Sequence, residues 1–250
     1  MTIYFTPIMF LFISFVFSIL GMGGGQLYIP ILFWLGMNFK TQAIPLGMLL
    51  NIATTLSASI IYAKNKLINW KMALPFGLAM VIFAPIGTWA NIGIPTKPII
   101  FIFALFTLGA GILMLSEWKP QKNVNMSLKF KIILGIISGS ILGFFTGLLG
   151  RGAGNFVVPI LFIIGLFPKI AVATSSFVVT LSGTSGFISH LFTTAKPNWP
   201  VWIFCLISVI IGSQLGSRFM AKKLDSKSIG KIFGIISVIV AIILICKNVF

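Results

Sequence analysis

Long apolar stretches alternate with short polar ones along almost the whole chain. Each stretch has about 18 residues or more, which is close to the length that a helix needs to cross the hydrocarbon core of a bilayer. The stretches cover residues 3–20, 43–63, 72–91, 98–116, 132–149, 170–192, 200–217 and 232–250. This pattern predicts an all-α polytopic membrane protein with very little chain outside the membrane.

The sequence also repeats itself at one constant offset. The segment GMGGGQLYIPILF, which starts at Gly21, returns as GRGAGNFVVPILF at Gly150, so the offset is 150 minus 21, or 129 residues. The same offset pairs Asn69-Trp70 with Asn198-Trp199, which a coincidence between apolar helices would not sustain. We expect a first membrane repeat at 1–120, a basic cytoplasmic linker at 121–131 and a second membrane repeat at 132–250.

The composition excludes a soluble protein, because 58% of the residues are hydrophobic and only 8% are charged, against about 25% charged residues in a soluble domain. The formal charge of +16 lies in short loops between the apolar stretches, which argues against nucleic-acid binding. Cytoplasmic loops retain Lys and Arg during insertion, so we expect the most basic loops on that side. These are the loops with Lys64, Lys66 and Lys71, with Lys119, Lys122, Lys129 and Lys131, and with Arg218, Lys222, Lys223, Lys227 and Lys231.

The basic loops also distinguish two arrangements of the halves. If each glycine segment turns the chain back as a hairpin, the halves are inverted, all three basic loops are cytoplasmic and both termini lie outside. If each segment crosses once, the halves are parallel and the loop at 218–231 is forced outside. The charge pattern therefore favours two inverted repeats whose broken helices meet near the bilayer midplane.

The glycine segments themselves are predicted to break the helices. Glycine supplies the backbone conformations that a sharp turn needs, and a break inside hydrocarbon persists only where it lines a cavity or packs against protein. We predict the break points at Gly23, Gly24 and Gly25 in the first half, and at Gly152 and Gly154 in the second. The alternative is that these glycines serve only close helix packing.

The short apolar pieces after the breaks, 27–35 and 156–166, are too short to span a membrane and are interpreted as half-helices. We expect them to start at Gln26 and Asn155. The unpaired N–H groups and the positive dipole end of a helix N-terminus attract anions. Two such ends from inverted halves would form one anion site.

Further polar residues are candidates to line this site. Arg151 is a cation next to an apolar segment, where charge is costly and usually functional, although its side chain could instead reach an interface. Hydroxyl and amide side chains would place neutral donors for anion oxygens, although many such groups only bond to their own helix. The candidates for substrate contact are Asn51, Thr54, Thr174, Ser175 and Ser176.

Acidic, metal-binding and catalytic residues are scarce. The only acidic residues, Glu117 and Asp225, lie in basic loops, so no carboxylate is available inside the membrane for a cation site or a proton relay. Cys205 and Cys246 have no metal-ligand spacing. We predict no metal, no cofactor and no catalytic residues, and therefore not an enzyme.

The doubled motif resembles the sulfite exporter TauE/SafE family. The resemblance rests on Gly21-x-Gly-Gly-Gly-x4-Pro30-x-Leu, on its partner GLLGRGAG-x4-Pro159-x-Leu from Gly147, and on the run AVATS that ends at Ser175. It covers nearly the whole chain. It implies a bacterial or archaeal plasma-membrane permease that exports sulfite, sulfoacetate or related organosulfur anions.

These observations give two hypotheses of different classes. The first is a permease that exports a small anion, most simply sulfite or a sulfonate, by alternating access between the two repeats. The second is a non-transporting membrane subunit that binds or assembles a partner complex. The expected partners are a small anionic substrate and the lipid bilayer, with a homodimer as a further possibility.

Overall fold

The computed structural model describes residues 2–90, 96–116, 127–149, 154–193 and 199–249. Within these ranges the regular secondary structure is helical and contains no strand. The helices are α1 Thr2–Leu20, α2 Gly25–Trp34, α3 Ile44–Lys64, α4 Trp70–Ala90, α5 Thr96–Leu115, α6 Leu128–Leu149, α7 Gly154–Ile163, α8 Pro168–Thr193, α9 Trp199–Lys223 and α10 Ser226–Val249, with a π-helical turn at Phe39–Ala43 before α3.

Six of the described helices, α3, α4, α6, α8, α9 and α10, are long and apolar enough to cross a membrane. Large apolar side chains such as Ile82, Trp89 and Phe204 lie more than half exposed on their outer faces. Such exposure is costly in water and favourable in lipid. The predicted all-α polytopic membrane fold is therefore confirmed.

The repeat in the sequence recurs in the helices. α2 and α7 each have ten residues and begin 129 positions apart, at Gly25 and Gly154. Both end in the same cap: Gly36 (φ +88°) and Gly165 (φ +103°) adopt the left-handed conformation. The N–H group of the residue after each glycine then bonds back to the helix, Met37 to the Leu32 carbonyl and Leu166 to the Leu161 carbonyl, as in a Schellman motif.

The half-helices start earlier than the sequence indicated. α2 begins at Gly25 and α7 at Gly154, so both glycines belong to a first helical turn and are not part of the break. The left-handed residues of the first break are Gly21 (φ +64°) and Gly23 (φ +65°). The helix reaches back to Gly25 because the Asn51 side chain accepts a hydrogen bond from its N–H group.

A seam of glycines holds α6 against α4. Gly135, Gly139, Gly143 and Gly147 recur every four residues on one face of α6, and side chains at the last three would meet the backbone of α4. Close backbone approach through small residues is the usual way in which helices pack in membranes. The pair related to it by the repeat, α1 and α9, packs in the same way, with Gly212 and Gly216 against the backbone of α1.

Equivalent helices of the two halves pack antiparallel to each other. Along α3 and its counterpart α8, Thr55 contacts Thr180 while the earlier residue Met48 lies by the later residue Gly186. Along α5 and its counterpart α10, Met114 lies by Gly230 while Gly111 lies by Val238. One side of the bundle therefore contains the starts of α4, α6, α8 and α10 and the ends of α3, α5 and α9. The predicted basic loops, as far as they are described, lie on the same side.

Candidate functional site

The two half-helices meet at their first turns. Gln26 and Asn155, equivalent residues of the repeat, are completely buried, and the Asn155 side-chain amide donates a hydrogen bond of 2.5 Å to Gln26 Oε1. The structure therefore brings together the two positions at which the sequence placed the converging helix starts. A helix N-terminus carries a partial positive charge of about half an elementary charge, so two of them concentrate positive potential here.

This contact leaves hydrogen-bonding capacity unused. Gln26 Nε2 and Asn155 Oδ1 are buried side-chain atoms without a partner in the described part of the protein. Thr107 on α5, also completely buried, lies 3.5 Å from Asn155 Nδ2. Buried polar groups without partners cost free energy unless a ligand or water satisfies them, so the meeting point has the character of a binding site.

Asn51 and Thr54 on α3 support the first half-helix. Asn51 Oδ1 accepts the Gly25 N–H at 3.0 Å, and Thr54 Oγ1 lies 3.0 Å from the Tyr28 hydroxyl. The site of a Cβ on Gly23 is occupied by the Asn51 amide. Both predicted residues therefore lie against α2, but in this conformation Asn51 occupies the helix N-terminus with its own oxygen.

Thr174, Ser175 and Ser176 are completely buried at the start of α8 and join the two halves. Ser175 Oγ donates to the Gly21 carbonyl at 3.0 Å, which holds the break loop of the first half. Ser176 Oγ donates to its own helix at 3.2 Å. The Thr174 hydroxyl instead accepts a hydrogen bond from the Asn69 N–H at 3.1 Å, and it donates none to another of the described residues.

Gly154 is needed for the two halves to approach. A side chain at this position would run into the backbone of Met22, within the first break. Gly24 lies against the Tyr28 ring. Gly152 and Arg151 lie outside the described residues, so their predicted roles stay predictions.

Two residues of the site were missed by sequence reasoning. Tyr28 and Thr107 are both buried and in contact with predicted residues. Each is a hydroxyl-bearing residue in an otherwise apolar helix segment, and this is the signal that would have found them.

Charged and metal-ligating groups are absent from the described site. The described residues contain no cluster of His, Cys, Asp or Glu suited to a metal ion. Asp225 is exposed in the loop before α10, where a hydrogen bond from Ser228 lowers the pKa of its carboxyl group. Its Oδ2 also accepts a hydrogen bond from the Lys227 N–H at 3.2 Å. This carboxylate therefore caps the start of α10 and is not part of the site.

Comparison with known proteins agrees with this architecture. The profile of the family described as sulfite exporter TauE/SafE matches residues 7–244. The chain is 25% identical to the probable membrane transporter protein YunE of Bacillus subtilis, over 93% of both chains. It is 28% identical to a probable membrane transporter protein of Methanocaldococcus jannaschii, over 82% of this chain and 81% of the relative.

A shorter match, 26% identical over 41% of this chain and 24% of the relative, is to the sulfite exporter TauE/SafE family protein 6 of Arabidopsis thaliana. No solved structure matches the chain significantly. The names describe transporters rather than enzymes. The profile covers almost the full length, so this multi-pass membrane protein is a transporter that belongs to the sulfite exporter TauE/SafE family.

Proposed function

We propose that the protein exports a small anion, sulfite or a sulfonate, which binds where the two half-helices meet. The observation that supports this most is the buried contact between Gln26 and Asn155, with Gln26 Nε2 left without a partner. The site offers helix dipoles and an amide donor, and no carboxylate lies among the described residues around it. Its chemistry suits an anion and disfavours a cation.

Transport would follow from the inverted relation of the repeats at 1–120 and 132–250. The antiparallel packing of α3 with α8 and of α5 with α10 supports this relation, and so does the presence of the described basic loops on one side of the bundle. In repeat-based transporters, rocking of one repeat against the other exposes a midplane site alternately to the two sides. The break loops would move with the half-helices that they precede.

The direction follows from the membrane potential. Moving one negative charge out of a negative interior gains about 2.3 kcal/mol per 100 mV, so export of an anion needs no second ion. The basic side would face the cytoplasm of a bacterial or archaeal cell, because Lys and Arg are retained there. The choice of sulfite or an organosulfur anion rests on the family name.

Flux measurements with purified protein in liposomes test this function. We expect the protein to move sulfite or propane-1-sulfonate, and an imposed potential, negative on the loaded side, to accelerate efflux. Gln26→Ala should lower the flux at least tenfold, because a hydrogen bond to a charged group contributes about 1.5–3 kcal/mol and about 1.4 kcal/mol corresponds to a factor of ten. Gln214→Ala is a matched control, because it removes an amide that bonds to Ser57 instead.

Two results would contradict the proposal. If the protein carries none of sulfite, sulfate, propane-1-sulfonate and acetate, the transport assignment for anions fails and a partner-binding subunit becomes the better hypothesis. If both variants lose flux equally, the meeting point of the half-helices has no special part in transport.

A further inference from the structure

A pocket lies on the basic side of the bundle, away from the contact between Gln26 and Asn155. It has a volume of about 270 Å³ and lies between the starts of α4, α6 and α8 and the end of α7. Its walls are mainly apolar, with Met72, Ile164, Phe167 and Ile170 among them, and its polar lining comes from Asn69 and Lys131. The volume is just below the roughly 300–1,000 Å³ of drug-sized ligand sites, so it suits a smaller molecule.

Lys131 is a half-buried cation in this pocket. Its Nζ lies beside Gly165, 3.6 Å from where a Cβ would stand, and no acidic side chain is among the residues that line the pocket. The end of α7 does not need the ammonium group, because the Phe162 and Leu161 carbonyls already accept backbone N–H groups. Among the described residues this cation has no counter-ion, and a cation in an apolar setting favours an anionic ligand.

The repeat shows that this charge belongs to one side only. At the offset of 129, the counterpart of Lys131 is Thr2 and the counterpart of Phe167 is Asn38. The equivalent positions of the first repeat therefore carry neither a cation nor an aromatic ring. The exposed Lys64, Lys66 and Lys71 lie close to Asn69 in sequence and add to the positive potential on the side with the pocket.

The pocket is also connected to the residues around the first break. Ile170 in its wall and Thr174 are four residues apart on α8 and so share a helix face. Asn69 in the lining donates its N–H to Thr174 Oγ1 at 3.1 Å, and the next residue, Ser175, holds the Gly21 carbonyl. Thr174 therefore lies one helical turn from the pocket wall and contacts its polar lining through Asn69.

We propose that this pocket takes up the substrate on the basic side, where Lys131 binds the acid group and the apolar wall holds a short hydrocarbon body. The ligand class is a small organic monoanion with an apolar tail, such as a short alkanesulfonate. This inference rests on the proposed function for its role in transport, and it adds a binding site, a sidedness and a preference for organic over inorganic anions.

The test compares Lys131→Gln, Lys131→Arg and Lys129→Gln, the last being an exposed lysine on the same helix turn. With propane-1-sulfonate supplied from the basic side, Lys131→Gln should raise the KM about tenfold, the factor expected for a hydrogen bond to a charged group, and leave kcat within twofold. Lys131→Arg should restore most of the affinity, and Lys129→Gln should behave like the wild type. With substrate supplied from the opposite side, the KM should not change.

The apolar wall is tested by Phe167→Ala, which alters an exposed ring without disturbing the core. It should raise the KM for propane-1-sulfonate and leave that for inorganic sulfite unchanged. Two results would contradict the proposed substrate pocket: equal KM changes for Lys131→Gln and Lys129→Gln, or equal KM changes with substrate supplied from either side. Either result would mean that the KM responds only to the overall surface charge.

Binding measured without transport separates this inference from the proposed function. Titration calorimetry of propane-1-sulfonate into purified protein in an uncharged detergent should give binding that Lys131→Gln weakens. If that dependence holds while no anion is transported, the pocket stands and the transport role fails. If transport proceeds without that dependence, or if native mass spectrometry finds an anionic lipid retained through Lys131 and no sulfonate bound, the pocket as a substrate site is wrong.

Discussion

Substituting alanine for Gly23 separates the strain of the first break from its packing. Gly23 has φ +65°, and a Cβ there would collide with the Asn51 side-chain amide and lie 2.8 Å from the Thr55 methyl group. Gly36 offers a matched control, because it has φ +88° and its Cβ would meet nothing within 4 Å. The two substitutions share the backbone strain and differ in what the new methyl group displaces.

The expected cost follows from these two terms. A non-glycine residue in the left-handed region costs roughly 1–2 kcal/mol, which applies to both variants. Gly23→Ala must also move Asn51, which leaves the buried Gly25 N–H without its acceptor, and a buried donor without a partner costs about 1–3 kcal/mol. Gly23→Ala should therefore destabilise the protein by about 2–5 kcal/mol, and Gly36→Ala by about 1–2 kcal/mol.

Thermal unfolding in detergent, followed by tryptophan fluorescence, and anion flux in liposomes measure the difference. Gly23→Ala should show the lower melting temperature and lose most of its flux, whereas Gly36→Ala should keep at least half. If Gly36→Ala lowers the melting temperature and the flux as much as Gly23→Ala does, the strain of the left-handed backbone alone accounts for both losses. The contact between the break and Asn51 would then have no separate role.

Three further predictions concern the contact between the two half-helices, the glycine seam between α4 and α6, and Arg151. A double-mutant cycle of Gln26→Ala and Asn155→Ala should give a coupling free energy of about 0.5–1.5 kcal/mol in unfolding, and additive effects would show that the amides do not interact. Gly143→Val should lower the melting temperature strongly because its side chain would meet the α4 backbone, whereas Gly109→Val, with open space around it, should have a small effect. Arg151→Gln should lower anion flux well before it lowers expression, and normal flux would remove this residue from the site.

Much of the fold was accessible from the sequence because the physics of the bilayer is simple. Apolar length alone predicts the spanning helices, and the glycine-rich repeat predicts both half-helices, down to the meeting of Gln26 and Asn155. The inverted orientation of the halves remains a proposal, although the antiparallel packing of counterpart helices supports it.

The details of the site were less accessible because they depend on which side chains meet in space. The pattern could not show that the Asn51 oxygen would occupy the start of α2, or that Ser175 would use its hydrogen on the Gly21 carbonyl. Tyr28 and Thr107 were missed for the same reason, because a single hydroxyl in an apolar helix marks a candidate but does not show which residues it contacts. The pocket at Lys131 involves three separate chain segments, so no local motif reveals it.

Cross-linking at the meeting point tests the central claim most directly. Cysteines in place of Gln26 and Asn155, in a protein without Cys205 and Cys246, should be joined in membranes by dibromobimane, a short reagent that bridges two nearby thiols, and propane-1-sulfonate should slow this cross-linking. A sulfonate is the suitable ligand because sulfite is a nucleophile that would consume the reagent. Failure to cross-link would show that the half-helices do not meet, and cross-linking at a rate that the sulfonate does not change would show that the anion does not bind between them.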